Sequence, residues 1–182
     1  ADADYTGKRP VAVTLRNMTG STPQWGIASA DVLVEGVTEG NTASLMALYA
    51  NPDSIAKAGP VGPARDLLLQ VALPLNAVPT AFAFDQDRQN AGYAEENCWY
   101  TTAELINSGL ASYGVSLNGD NTPLFQFGER PAVDPADRSG MNLTITFSPD
   151  DIDCLNYDTG TGLYALSNGD GSPVQDADNG QQ

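Results

Sequence analysis

The chain contains no histidine, only eight lysines and arginines, two cysteines and no long apolar run. Each shortage closes off a class of chemistry. Without imidazole, neither a Ser-His-Asp nor a Cys-His relay can be assembled, and a histidine-based zinc site is excluded with them. The eight cations stand against 23 aspartates and glutamates, a formal net charge of −15. Nucleic-acid binding rests on Lys and Arg neutralising phosphates, so no nucleic-acid ligand is expected, and an anionic membrane surface is repelled. No window holds the roughly 20 apolar residues of a membrane helix, and no charged-then-apolar signal segment opens the chain. The small, polar start from Ala1 to Pro10 reads as a tether or a trimmed mature end. Cys98 and Cys154 allow one disulfide, but spacing alone does not say whether they meet.

What remains is ample for a folded core. A chain of 182 residues, 41% of them hydrophobic, fits one domain or one domain with a partial second. The charge is unevenly placed: nine aspartates and a single arginine, Arg138, fall between Pro131 and Gln182. Such acidity suits a protein kept soluble outside the cell.

Val11 to Leu15 has the length and composition of a short buried strand, with Pro10 tolerated at its start. A Gly-, Ser- and Pro-bearing loop follows from Asn17 to Gln24. Asp31 to Val37 and Ser44 to Tyr49 are apolar runs of strand length, read as a hairpin or neighbouring strands. Pro63 at a first helical position and the Leu67, Leu68, Val71 spacing predict a helix over 63–73. Val78 to Phe84 reads as a strand, and Thr101 to Ser112 as a helix capped by its threonines. After Gly114 the alternation of Leu143 to Phe147, then strand, turn and strand from Asp151 to Leu166, predicts a β-meander. The Gly- and Asp-rich end from Ser167 is read as a final turn or as disorder. The expected fold class is therefore α/β or α+β: a mixed sheet covered by helices in the N-terminal two-thirds, over 1–115, and a β-rich, possibly incomplete part over 116–182 packed on it.

Arg65 is the first candidate for function. In a first helical turn the dipole disfavours a cation, so an acid or an anion is expected beside it. Asp31, Glu35 and Glu39 share one face of a regular strand, and Glu35 or Glu39 is the expected ion-pair partner of Arg65. Residues four apart on a strand lie about 13 Å from each other, beyond the roughly 5 to 9.5 Å of glycosidase carboxylates, so neighbours in this series are poor acid–base pairs. Gly59 to Gly62 lacks the order of a phosphate-binding loop. The aspartates at 150, 151, 153 and 158, or Asn168, Asp170 and Ser172, carry oxygen ligands but do not fit a calcium loop. Trp25, Trp99 and Tyr100 can line a groove for sugar or peptide, although core packing competes for them.

The ordered set Arg9-Pro-Val-Ala-Val13, Pro23-Gln24 with Gly26, Ala30-Asp31, Glu39-Gly40, Ala47-Leu-Tyr49, Gly59-Pro-Val61, Ala64-Arg65, Asn97, Tyr100-Thr-Thr102, Pro123-Leu-Phe125, Tyr157-Asp158 and Gly162 with Tyr164 runs almost end to end. In that order it resembles the YerB-like family of bacterial lipoproteins, whose domain has no established function. The resemblance implies two histidines and further arginines that are missing here. Ala43-Ser44 stands where the family carries Thr-Arg, the segment from Gly59 to Arg65 keeps only its last arginine, and residues near Phe84 and Glu96 occupy the histidine positions.

The function expected from all this is a non-catalytic binding or scaffolding module of the bacterial envelope, extracellular or on the cell surface. Arg65, Glu35, Glu39, Asp31 and Asn97 lie nearest its cleft, and no catalytic residue, metal ligand or cofactor is assigned. Its expected partner is a protein, a peptide or an envelope component, with membrane contact only through an upstream lipid anchor. The alternatives are a carboxylate-dependent enzyme acting on wall glycan or peptide, and a purely structural domain of a longer lipoprotein.

Overall fold

The computed structural model describes residues 7–18, 20–38, 42–74, 77–78, 81–119, 140–177 and 180. Strand β1 (Val11–Leu15) and strand β2 (Val32–Val37) both pair antiparallel with β3 (Ala43–Tyr49), giving the order β1-β3-β2. The central strand is buried along most of its length on both faces, which explains why its sequence is a continuous apolar run rather than an alternating one. Leu45, Ala47 and Tyr49 point to one face and join Val11, Val13 and Leu15 in the larger core. Met46 and Leu48 point to the other, where Leu68 meets them.

Helix α1 (Asp66–Ala72) supplies Leu68. It begins three residues later than Pro63. Gly62 N–H donates to Thr14 O at 2.8 Å, and Val61 bridges Leu15, so the chain is pinned as an extension beside β1 until it clears that strand. Arg65 is extended and occupies the cap position, leaving Asp66 in the first turn where the helix dipole favours an acid.

Of the strand expected over 78–84, residues 79 and 80 lie outside the described residues; Val78 makes a parallel bridge to Val11, and Ala83–Phe84 form β4, paired with β5 (Trp99–Tyr100). A short helix α2 (Gln86–Asn90) lies between them. Helix α3 (Ala103–Tyr113) starts where Thr102 Oγ1 accepts the Leu105 N–H and stops at Gly114, whose φ of 64° ends the helix in the left-handed conformation. It sends Ile106 and Leu110 into the larger core.

The meander is β6 (Asn142–Ser148), β7 (Asp151–Asp158) and β8 (Leu163–Asn168), antiparallel in that order. Its second turn closes as Asp158 Oδ1 accepts from Gly160 N–H and Asp158 O from Gly162 N–H, both at 2.8 Å. The segment after β8 is an ordered return. Ser167 bridges Pro173, Ala177 N–H donates to Gln24 O at 2.7 Å, and the buried Asp176 accepts from Ala28 N–H at 3.1 Å. Among the described residues the architecture is thus mixed α and β: three small antiparallel sheets with few helices and a C-terminal strand meander. Cys98, buried beside β5, and Cys154, on β7, are free thiols.

Candidate functional site

The loop that carries Trp25 is clamped to Gly59 by reciprocal backbone hydrogen bonds of 2.7 and 3.1 Å. Position 59 needs glycine because a Cβ there would lie 2.8 Å from Trp99 O and 3.2 Å from the Trp25 ring. Trp25 is thereby buried, yet two cations meet its ring. Lys57 Nζ sits 3.7 Å from the ring centroid, and the Arg88 guanidinium carbon 4.1 Å. Lys57 also lies 4.6 Å from the Tyr100 ring, and Arg88 4.2 Å from Tyr93. Such contacts stabilise a cation most when water is excluded.

Asp85 organises both cations. As the cap of α2 it accepts the Arg88 N–H through Oδ1 at 2.8 Å, while Oδ2 accepts from Lys57 Nζ at 2.5 Å. Arg88 then donates through Nη2 to Ser21 O and Pro23 O, and Asn97 donates to Gly20 O at 3.2 Å. The 20–23 loop is strapped down by these two side chains. Beside it opens a depression of about 360 Å³, whose walls include Gly20, Gly92, Tyr93, Glu96 and Asn97. Its side chains offer a phenol, an amide and one carboxylate, and no cation lines it. That chemistry matches hydroxyl and amide groups better than phosphate or carboxylate.

The Lys57 hydrogen bond, reinforced by the Arg88 N–H, holds Asp85 below the ordinary carboxylate range despite the opposing effect of burial. Burial lowers the Arg88 pKa and raises that of the Cys98 thiol, which leaves the thiol protonated and unreactive. Because Asp85 is depressed in the folded state, its contribution is complete above its ordinary 3.8 and is lost as pH falls through the folded value. Asp85→Asn keeps a capping oxygen but removes the ion pair. Thermal melts between pH 2 and 6 should therefore show a shallower acid decline in this variant than in the wild type.

Of the described residues singled out from sequence, Asn97 lines the depression and Asp31, Glu35 and Arg65 do not. Asp31 accepts the Ala50 N–H at 2.7 Å and so fastens the end of β3. Arg65 holds the N-cap position of α1 without a side-chain capping bond, and α1 packs on the Met46 and Leu48 face of the first sheet. Glu35 lies on the opposite face, since it pairs across the ladder with Leu45 of the larger core. Its carboxyl faces away from the start of α1: Asn17 donates to it at 2.6 Å, and the charges of Asp153 and Asp151 act on it. Burial first, then Asp153 and Asp151, raise its pKa from 4.5 to about 8. Glu39 lies outside the described residues. Sequence reasoning missed Lys57, Asp85, Arg88 and Tyr93; the available signal was a pair of scarce cations in a chain with two tryptophans. Among the described residues no group of three or more acids or cysteines is arranged to hold a metal ion, and no helix is long and apolar enough to cross a membrane.

Fold and site together define an imidazole-free α+β domain with a polar, aromatic-backed depression and a C-terminal meander. A family profile matches residues 1–105, and the chain belongs to that family, described as "Protein of unknown function (DUF3048) N-terminal domain". It is 23% identical over 205 residues to the Bacillus subtilis (strain 168) protein named "Putative lipoprotein YerB", a match covering 97% of this chain and 60% of that protein. The chain thus spans about 60% of the length of this curated relative. The crystal structure of the YerB protein from Bacillus subtilis has the same fold, with a TM-score of 0.78 at 20% identity over 100% of this chain and 68% of that one.

Proposed function

We propose that the chain is a non-catalytic binding or scaffolding module of the bacterial cell envelope, carried outside the cell or on its surface by a lipid anchor upstream. The lipoprotein name of the YerB relative supports the location, and the strong negative charge supports a soluble, extracellular setting. The observation that carries the binding reading is the depression beside Tyr93 and Asn97, backed by the Lys57, Arg88 and Trp25 stack. Polar walls with a phenol, an amide and a single carboxylate, on a rigid support, favour a peptide or glycan presenting hydroxyls and amides. In this reading residues 1–115 form the binding part, α1 and α3 cover the two faces of its first sheet, and 116–182 is a second part packed on it.

Calorimetric titration with wall-derived glycans and stem peptides tests the site. Tyr93→Ala and Asn97→Ala are expected to weaken binding of the responsive fragment at least tenfold while leaving the fold intact by circular dichroism. Unchanged affinity in both variants would contradict the assignment, as would silence of the wild type toward every fragment.

A second reading draws on Glu35, whose carboxyl pKa is raised by burial and by Asp153 from 4.5 to about 8. A carboxyl so raised near a second acid is a recurring acid–base arrangement. It supports a carboxylate-dependent enzyme acting on wall glycan or peptide, and Glu35→Gln would then abolish turnover. Glu35 is not among the residues that line the depression, so the binding reading ranks first.

A further inference from the structure

The side chains around the depression beside Tyr93 offer a ligand acceptors more than donors. Asn97, only 8% exposed, turns its Nδ2 to Gly20 O at 3.2 Å, which leaves the oxygen end of the amide over. Among the described residues no hydrogen bond reaches Asn97 Oδ1, the Tyr93 hydroxyl or the Glu96 carboxylate, and neither the amide oxygen nor the phenol is sealed from solvent. Ala91 and Ala94 add methyl groups to the same walls. Charge points the same way. Asp87, Glu95 and Glu96 are exposed acids on the two short helices that lead into those walls, Gln86–Asn90 and Glu95–Asn97. The cations of the stack are already engaged: Lys57 pairs with Asp85, and Arg88 turns its guanidinium to Trp25, Tyr93 and the Ser21 and Pro23 carbonyls.

We propose that the depression binds a primary alkylammonium group, the end of a lysine-type side chain on a peptide; this rests on the binding reading above and names its ligand class. An ammonium carries three N–H donors and no acceptor, and Glu96, Asn97 and Tyr93 present three open acceptors, one of them ionised. A hydrogen bond between a cation and a carboxylate is about twice as strong as a neutral one, so Glu96 supplies most of the selectivity. A divalent cation is served less well. It takes several hard oxygen ligands, and among the described residues no group of three acids is assembled to provide them. The volume of about 360 Å³ exceeds that of an ammonium and leaves room for what carries it. Ala91 and Ala94 suit a methylene stem, whereas an amino sugar surrounds its amine with hydroxyls, which favours the peptide.

Calorimetry at neutral pH and low salt compares a short peptide with blocked ends and one central lysine against the same peptide with the lysine amine acetylated. The intact chain is expected to bind the free amine about tenfold more tightly, because acetylation removes the charge and two of the three donors. Glu96→Gln is expected to remove that preference, whereas Glu95→Gln, at the neighbouring exposed acid, is expected to keep it. Both positions are exposed, so circular dichroism should be unchanged in either variant. Equal affinity for the two peptides would overturn the assignment, as would a preference that survives in Glu96→Gln. A glucosamine trisaccharide bound as tightly as the lysine peptide would overturn the choice of an alkyl stem. Silence toward both peptides, with wall-derived fragments still bound through Tyr93 and Asn97, would overturn the ammonium and leave the binding reading standing; silence toward every fragment would overturn both.

Discussion

Replacing Trp25 by alanine is expected to destabilise the protein by on the order of 3–5 kcal/mol, the usual cost of emptying a buried tryptophan site. Trp25 is 7% exposed and touches more than apolar neighbours. Its ring accepts two cations and the edge of Tyr100, with ring centroids 6.3 Å apart. Without the indole, Arg88, itself only 8% exposed, faces a void on one side and retains Tyr93 and two backbone carbonyls. Trp25→Phe should recover part of the loss by restoring a ring face. Urea denaturation followed by the fluorescence of Trp99, the remaining tryptophan, gives both values. A Trp25→Ala loss below about 1 kcal/mol would show that the stack does not support the 20–26 loop.

A comparable loss is expected for Gly26→Ala, from a different cause. Gly26 has a φ of +79°, and a Cβ there would lie 2.5 Å from Lys57 O and 3.0 Å from Tyr49 Oη. The left-handed backbone costs a non-glycine residue about 1–3 kcal/mol, and forcing backbone apart in a packed region adds about as much again. Tyr49 also donates its hydroxyl to Gly26 O at 2.8 Å, within the larger core. Burial, followed by the charges of Asp176 and Asp31, drives the phenol pKa well above its ordinary range, so that bond keeps its proton at every working pH. Gly92→Ala is the control. Its φ is +98° but nothing lies within 4 Å of the added carbon, so only the conformational cost of about 1–3 kcal/mol should appear, without the added steric term. Equal losses at 26 and 92 would refute the steric argument.

Both predictions concern a region of which the sequence disclosed only part. The strands were legible because burial imposes a pattern: Val11 to Leu15, the two runs that became β2 and β3, and the alternation in β6 all stand where periodicity placed them. The cap of α3 and the turn at Asp158 carry local chemistry and were equally readable. The start of α1 was misplaced because Pro63 permits a helix start without requiring one, and tertiary pairing of Val61 and Gly62 with β1 prevailed. The site was harder to read. Trp25, Lys57 and the Asp85–Arg88 pair of α2 come from three separate segments with no common spacing, and only their folding together makes a cation-bearing aromatic stack. Glu35 illustrates the same limit. Strand periodicity indicates which residues share its face, but its neighbours Asp151 and Asp153 lie more than a hundred residues further along, in a segment read from sequence as part of a separate meander.

The most direct test of the central claim is a map of amide shifts in a heteronuclear NMR titration of the intact chain with the wall-derived fragment that gives calorimetric heat. The account expects perturbations concentrated at Gly20, Gly92, Tyr93, Glu96 and Asn97, with the fragment recovered chemically unchanged. Perturbations centred on Glu35 and Asp153, accompanied by cleavage of the fragment, would contradict it.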